Sequence, residues 1–302
     1  MKLKLRARGR KPKAFAVLPT LLTLGNAVCG FGAIVISSGW ARFEPATAFF
    51  AAASLIFLAM LFDGLDGAAA RWAGQTSKFG AELDSLCDAI SFGAAPAFLM
   101  LALAQSQQVG IPPRPLFVAG ALYVVCAVLR LARFNVQPPT EEEEQKPKGF
   151  TGLPSPAAAS VVASFPFMLY GPQLFTDAEP SEAAARMDLW AARLLPLVTV
   201  GVAGLMVSRV RYAHLFKQLL RRGRNRRLLL VVVFALAVVV TVPRVAVPLL
   251  VCWYAFAPPV AALWVRYLRG PQPAQPGPGP GSGVWPRPTA PPGPTDGATG
   301  SG

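Results

Sequence analysis

Asp63 and Asp66 lie three residues apart, and Asp84 and Asp88 four apart, spacings that put each pair on one face of a helix. If the two helices run antiparallel, all four carboxylates gather at one end of the pair. Unpaired, they would repel one another and carry a heavy desolvation cost at a membrane rim. Two divalent cations would neutralise the formal charge of four, and hard oxygen ligands suit Mg²⁺ or Mn²⁺. Gly64, Gly67 and Gly80 flank the acids and allow close approach of a neighbouring helix or a bulky phosphate. Arg71 offers a fork of donors to phosphate oxygens. The bland alternative is that these acids end two helices and face water. Glu82 sits among them, either supporting the metal shell or exposed.

The elements that must position these residues are long apolar runs. Of 302 residues, 53% are hydrophobic and 15% charged, and the mean hydropathy is +0.44. Apolar stretches near the length that crosses a bilayer predict helices over 18–37, 45–62, 82–105, 116–136, 155–175, 189–208, 228–242 and 245–265. The expected fold is all-α: a polytopic membrane bundle with a six-helix core and about two further C-terminal transmembrane helices. Pro243, Pro248, Pro258 and Pro259 punctuate the last two, where a re-entrant hairpin is an alternative. The expected organisation is a basic cytoplasmic segment over 1–17, a core over 18–217, a basic loop and helix pair over 218–269, and a disordered tail over 270–302. That tail holds ten prolines and little that can bury. The apolar run from Ala14 outlasts the roughly 7–15 residues of a secretory h-region, so it reads as a retained membrane helix.

Charge sets the orientation. Seven Lys/Arg precede the first helix and eight lie between Arg209 and Arg227, whereas the loop before the sixth helix carries Asp177, Glu179, Glu182 and Asp188 against Arg186. A cytoplasmic N-terminus puts both basic clusters inside, and with them the segment from Asp63 to Gly80. The formal charge of +14 is thereby assigned to topology and to attraction for anionic membrane lipid, not to nucleic acid. Cys29, Cys87, Cys126 and Cys252 lack metal or disulfide spacing, and His214 is the lone histidine. Mechanisms built on a histidine triad or a multi-histidine metal site are therefore disfavoured. The run Glu141–Glu144 reads as a solvated loop.

The spacing Asp63-x2-Asp66-Gly67-x2-Ala70-Arg71-x8-Gly80-x3-Asp84-x3-Asp88 resembles, at all eight fixed positions, the signature of the CDP-alcohol phosphatidyltransferases. The resemblance implies that Asp63, Asp66 and Asp84 bind two metal ions, that Asp88 contributes a ligand and acts as general base, and that Gly67, Arg71 and Gly80 line the CDP site. Pro19, Thr23, Asn26 and Gly30 fit the family's first-helix pattern, with Thr23 on the CDP side; Thr20 stands where asparagine is usual.

DAISFGAAPA (88–97), LARFNV (131–136), GLPSPAAA (152–159) and LMVSRVRY (205–212) resemble the phosphatidylserine synthase branch. That branch implies transfer from CDP-diacylglycerol to L-serine, with CMP released, at the cytoplasmic face of the cell membrane. The same chemistry with glycerol 3-phosphate or inositol phosphate as acceptor is the alternative. Arg133, Asn135, Arg211 and Lys217 are candidates for the serine carboxylate. Taken singly, GLPSP also reads as a loop entering the fifth helix, SFGAAPA as a packing face, and Arg130 and Arg133 as snorkelling anchors. The resemblance further implies a homodimer. Outside this chemistry stand a cation transporter using the aspartates as an ion path and a membrane-surface anchor.

Overall fold

The computed structural model describes residues 14–73, 78–136, 150–175, 181–208, 210–212 and 243–269. Its helices are α1 (Ala14–Ser37), α2 (Pro45–Ala73), α3 (Lys78–Ser106), α4 (Pro113–Val136), α5 (Ser155–Phe175), α6 (Glu182–Val207) and α7 (Pro243–Arg269). A two-residue antiparallel pair, β1 (Phe150–Thr151) and β2 (Arg211–Tyr212), is the strand content among the described residues. Apart from that pair the described residues are helical, and among them five helices are long and apolar enough to cross a membrane: the α1, α2, α3, α4 and α6 segments. The chain is thus a multi-pass membrane protein. The described residues up to Ala262 form one compact unit, and the end of α7 from Leu263 belongs to another.

Helix boundaries depart from expectation where the apolar signal stops but the helical one does not. α2 was expected over 45–62 and continues to Ala73. DGLDGAAARWA is too polar to count as a membrane run, but it is rich in alanine. Two glycines, at about 1 kcal/mol each, do not break so long a helix. Asp63 and Asp66 therefore stand inside α2, not at its end. α3 begins at Lys78, not at 82. α6 begins at Glu182, where Ser181 caps it by accepting from the Ala184 N–H at 3.3 Å. This draws Asp188 out of the expected loop and buries it in the helix. α7 runs unbroken through Pro248, Pro258 and Pro259, so residues 243–269 form no hairpin. The helix expected over 228–242, Lys217, and the tail lie outside the described residues.

The core combines small side chains with large ones such as Ile56, Phe92, Leu99 and Tyr123, all fully buried. Ala33, Ala52, Ala53 and Ala59 are fully buried where α1 and α2 pack, as expected when helices in lipid associate by close backbone contact. On α1, Leu21, Leu24, Val28 and Phe31 face outward. At Gly30, a Cβ would stand 2.6 Å from Ser91 Cα, so only glycine allows α1 to cross α3 there.

α3 is not a uniform helix: Ala89–Ala94 is a π-helical turn. Its cause lies in Pro96, which has no N–H and whose ring obstructs the carbonyl four residues earlier, that of Phe92. That carbonyl accepts instead from the buried Tyr123 hydroxyl of α4, at 3.1 Å. The bulge sits immediately after Asp88 and brings Ser91 Oγ to the Asn26 carbonyl, at 2.9 Å.

Gly152 has φ +86°, and a Cβ there would meet the Ser208 carbonyl at 3.1 Å. Gly152 N–H donates to Val210 O at 2.8 Å and Leu153 N–H to Leu205 O at 3.0 Å. The GLPSP segment is thereby pinned to the end of α6 and delivers Ser155, fully buried, to α4.

Candidate functional site

Three carboxylates converge. Asp63 and Asp66 from α2 and Asp84 from α3 each offer an oxygen within 4.8 Å of the other two. At such separations each like-charged pair repels by about 3–4 kcal/mol at an effective dielectric near 20. Asp66 is buried, while Asp63 and Asp84 are half-buried. Asp84 Oδ1 is shielded from solvent and has no hydrogen-bond partner. A buried carboxylate oxygen without a donor, beside two more carboxylates, is what a divalent cation would satisfy. The residues therefore fit a hard cation on the oxygens of Asp63, Asp66 and Asp84.

Helix α1 supplies the wall. Thr23 Oγ1 donates to Asp66 Oδ2 at 2.8 Å and also lies 3.0 Å from the Pro19 carbonyl. A hydroxyl has one hydrogen, so the two acceptors compete for it. One helical turn further, Asn26 Nδ2 donates to Asp88 Oδ1 at 3.0 Å. Asp88 is buried and stands outside the group of three, near enough for its charge to act on Asp63 and Asp84. Thr23 and Asn26 are both buried polar residues on a mostly apolar helix.

Arg130 of α4 completes the constellation. Its charge acts on both Asp63 and Asp88, and its guanidinium donates to Ser155 Oγ at 2.7 Å. Its Nε is buried without a partner. The structure thus corrects the reading of Arg130 as a snorkelling anchor and of GLPSP as a mere loop. The one is a cation held toward the aspartates, and the other is the segment that holds it.

The remaining expected residues divide. Gly64 is exposed and has no atom within 4 Å of where a Cβ would stand, so it serves no close helix contact. Gly67 follows Asp66 on α2. Gly80 lies in the first turn of α3, and Arg71 in the last turn of α2. Asn135 is joined to α3, accepting from Ser85 Oγ at 3.0 Å and donating to Glu82 Oε2 at 3.4 Å. Glu82 is exposed and makes that contact outside the group of three carboxylates. Arg133 is exposed near the end of α4. Arg211 pairs in β2 with Thr151, next to the GLPSP segment.

The polar partners Asn26, Arg130 and Ser155 were not singled out for the site from sequence. Asn26 carried a signal, a match in the first-helix pattern. Arg130 carried a weaker one, a charge inside an apolar run.

Comparison with known proteins agrees with this geometry. Residues 16–198 match the family model described as CDP-alcohol phosphatidyltransferase. The chain is 40% identical over 159 residues to the archaetidylserine synthase of Methanothermobacter thermautotrophicus, covering 52% of this chain and 60% of that protein. It is 41% identical over 112 residues to a CDP-diacylglycerol--serine O-phosphatidyltransferase of Methanocaldococcus jannaschii, covering 37% and 48%. A protein of the same name from Bacillus subtilis is 31% identical over 202 residues, covering 66% and 92%. The chain thus spans about half to three-fifths of the two archaeal relatives and nearly all of the bacterial one. With the eight signature positions in place, the carboxylates of Asp63, Asp66 and Asp84 gathered and the family model covering residues 16–198, the chain belongs to the CDP-alcohol phosphatidyltransferase family.

Proposed function

We propose that this chain transfers the phosphatidyl group of CDP-diacylglycerol to L-serine, giving phosphatidylserine and CMP, at the cytoplasmic face of the cell membrane. The observation that carries the reading is the convergence of Asp63, Asp66 and Asp84 within 4.8 Å, with Asp88 beside them. The serine acceptor is supported by the names of the relatives and by the DAISFGAAPA, LARFNV and GLPSP segments.

Asp63, Asp66, Asp84 and Asp88 would hold two divalent cations, Mg²⁺ or Mn²⁺. Bound there, such ions supply positive charge against the pyrophosphate and the departing CMP. The chain's own groups do the rest. Thr23 orients Asp66. Gly67, Gly80 and the open space beside Gly64 admit the phosphates, and Arg71 donates to them. Asp88 accepts the hydroxyl proton of serine as the serine oxygen bonds to the diacylglycerol-linked phosphorus. The phosphorus–oxygen bond to CMP breaks, and its electron pair leaves with CMP. Arg130 offsets the negative charge around Asp63 and Asp88. The serine carboxylate falls to Arg133, Asn135, Arg211 and Lys217, of which Arg211 adjoins the segment holding Arg130.

Asp63 and Asp66 follow directly on the apolar run of α2, which suits a lipid donor and a water-borne acceptor, because the acyl chains stay in lipid while serine arrives from solution. The seven basic residues before α1 would hold this end on anionic lipid. A homodimer belongs to the same proposal. The test is CMP release by the purified chain from CDP-diacylglycerol, with and without serine and divalent metal. Release that needs both supports the reading; metal-dependent ion flux without CDP-lipid would favour a transporter.

A further inference from the structure

Asn26 is a fully buried asparagine in a membrane helix whose neighbours are apolar, and its carboxamide is used for one thing. Nδ2 donates to Asp88 Oδ1 at 3.0 Å, while Oδ1 of the same amide is buried with no partner. Leaving such an oxygen unsatisfied costs about 1–3 kcal/mol, which packing alone gives no reason to retain. The surroundings fix the group from the other side. Ser91 Oγ, on the π-helical turn that follows Asp88, donates to the Asn26 backbone carbonyl at 2.9 Å. Gly30, one turn along α1, lets the two backbones meet at Ser91. Asn26 and Asp88 are therefore held in register at two points, side chain to side chain and hydroxyl to backbone.

From this geometry we infer that Asn26 is a positioning residue for Asp88: it engages Oδ1 and thereby presents Oδ2 as the oxygen that receives the acceptor's proton. The chemistry served is any hydroxyl acceptor whose oxygen bonds to phosphorus while its proton passes to Asp88 and the electron pair leaves with CMP. This rests on the proposed transfer reaction, but not on serine as the acceptor.

The experiment compares the purified full-length protein with Asn26→Leu, which keeps volume and removes the donor, and Asn26→Ser, whose hydroxyl is too short to reach Asp88. Kinetics are measured by CMP release, Mn²⁺ affinity by paramagnetic titration, and folding by thermal midpoint. The expected result is a loss in kcat of about 10- to 100-fold, the range of a hydrogen bond to a charged group. KM for CDP-diacylglycerol and for the acceptor, and the Mn²⁺ affinity, stay within about twofold. Asn26→Gln, which retains the carboxamide, recovers part of kcat. Unchanged kcat in a folded variant overturns the inference. So does a loss that appears mainly in KM or Mn²⁺ affinity, or failure of both Leu and Ser variants to fold, since each assigns Asn26 to packing or to metal. Wild-type protein that prefers another hydroxyl acceptor ends the serine reading alone, and the comparison is then run with that acceptor. Wild-type protein that releases no CMP with any acceptor ends the transfer reading, and the inference falls with it.

Discussion

The two ends of the bundle solve the same problem, polar groups at the limits of apolar helices, in opposite ways. At the end away from the aspartates the groups pair with each other. Gln107 donates to the Tyr170 hydroxyl at 2.8 Å, Arg193 donates to the Val109 carbonyl at 3.3 Å, and the Arg193 guanidinium lies 5.7 Å from the Trp190 ring centroid. At the aspartate end the pairing is incomplete. The three buried side-chain atoms without partners among the described residues are Asn26 Oδ1, Asp84 Oδ1 and Arg130 Nε, and all three belong to it. Three carboxylates also crowd together there. One end is finished by its own residues, whereas the other leaves buried polar atoms without a partner among the described residues.

This contrast can be broken most severely at Asp84. Asp84→Asn is expected to lower acceptor-dependent CMP release by at least about 10³-fold, because it removes one of the charges that gather a cation. The metal-free protein should keep or raise its thermal midpoint, since a repelling carboxylate has gone. A destabilised metal-free variant would place Asp84 in the structural class. Next in size is the metal itself. Chelation should abolish turnover, and readdition of Mn²⁺ at about 100 times its dissociation constant should stabilise the wild type by about 2.7 kcal/mol. Asp84→Asn should lose most of that gain in a thermal-shift titration.

Arg130→Met is expected to cost about 10- to 100-fold in kcat/KM by uncovering charge at Asp63 and Asp88. Ser155→Ala should cost only about two- to fivefold, as it loosens the arginine without removing it. Equal effects would mean that Arg130 serves only to satisfy Ser155. The smallest effect on turnover belongs to the far end: Tyr170→Phe breaks the Gln107 bond, so about 1 kcal/mol of stability should be lost in denaturation while kcat stays unchanged.

Much of this was legible in the chain, for identifiable reasons. Aspartates at spacings of three and four fall on one helix face whatever surrounds them, so the gathering of Asp63, Asp66 and Asp84 followed from local geometry and short connections. Helix positions followed from hydropathy wherever the helix lay in apolar sequence. They failed at 63–73 and 182–188, where helix continues without it and alanine propensity and a serine cap decide. Tertiary partners were not legible. Arg130 looks the same in sequence whether it snorkels or turns inward, and only the positive φ at Gly152 and the pinning of GLPSP to α6 deliver Ser155 to it. The π-helical turn was written in Pro96, but its consequence depends on Tyr123, which lies 27 residues further on in another helix.

The central claim is that the incomplete end is a metal-dependent phosphatidyl-transfer site that takes serine. It is tested most directly by measuring CMP release from CDP-diacylglycerol by the purified chain with serine, glycerol 3-phosphate or inositol phosphate, each with and without Mg²⁺ or Mn²⁺. Rapid release with serine, dependent on the metal, and little with the other two is the expected result. Preference for either of the others, or turnover that persists after complete chelation, would contradict it.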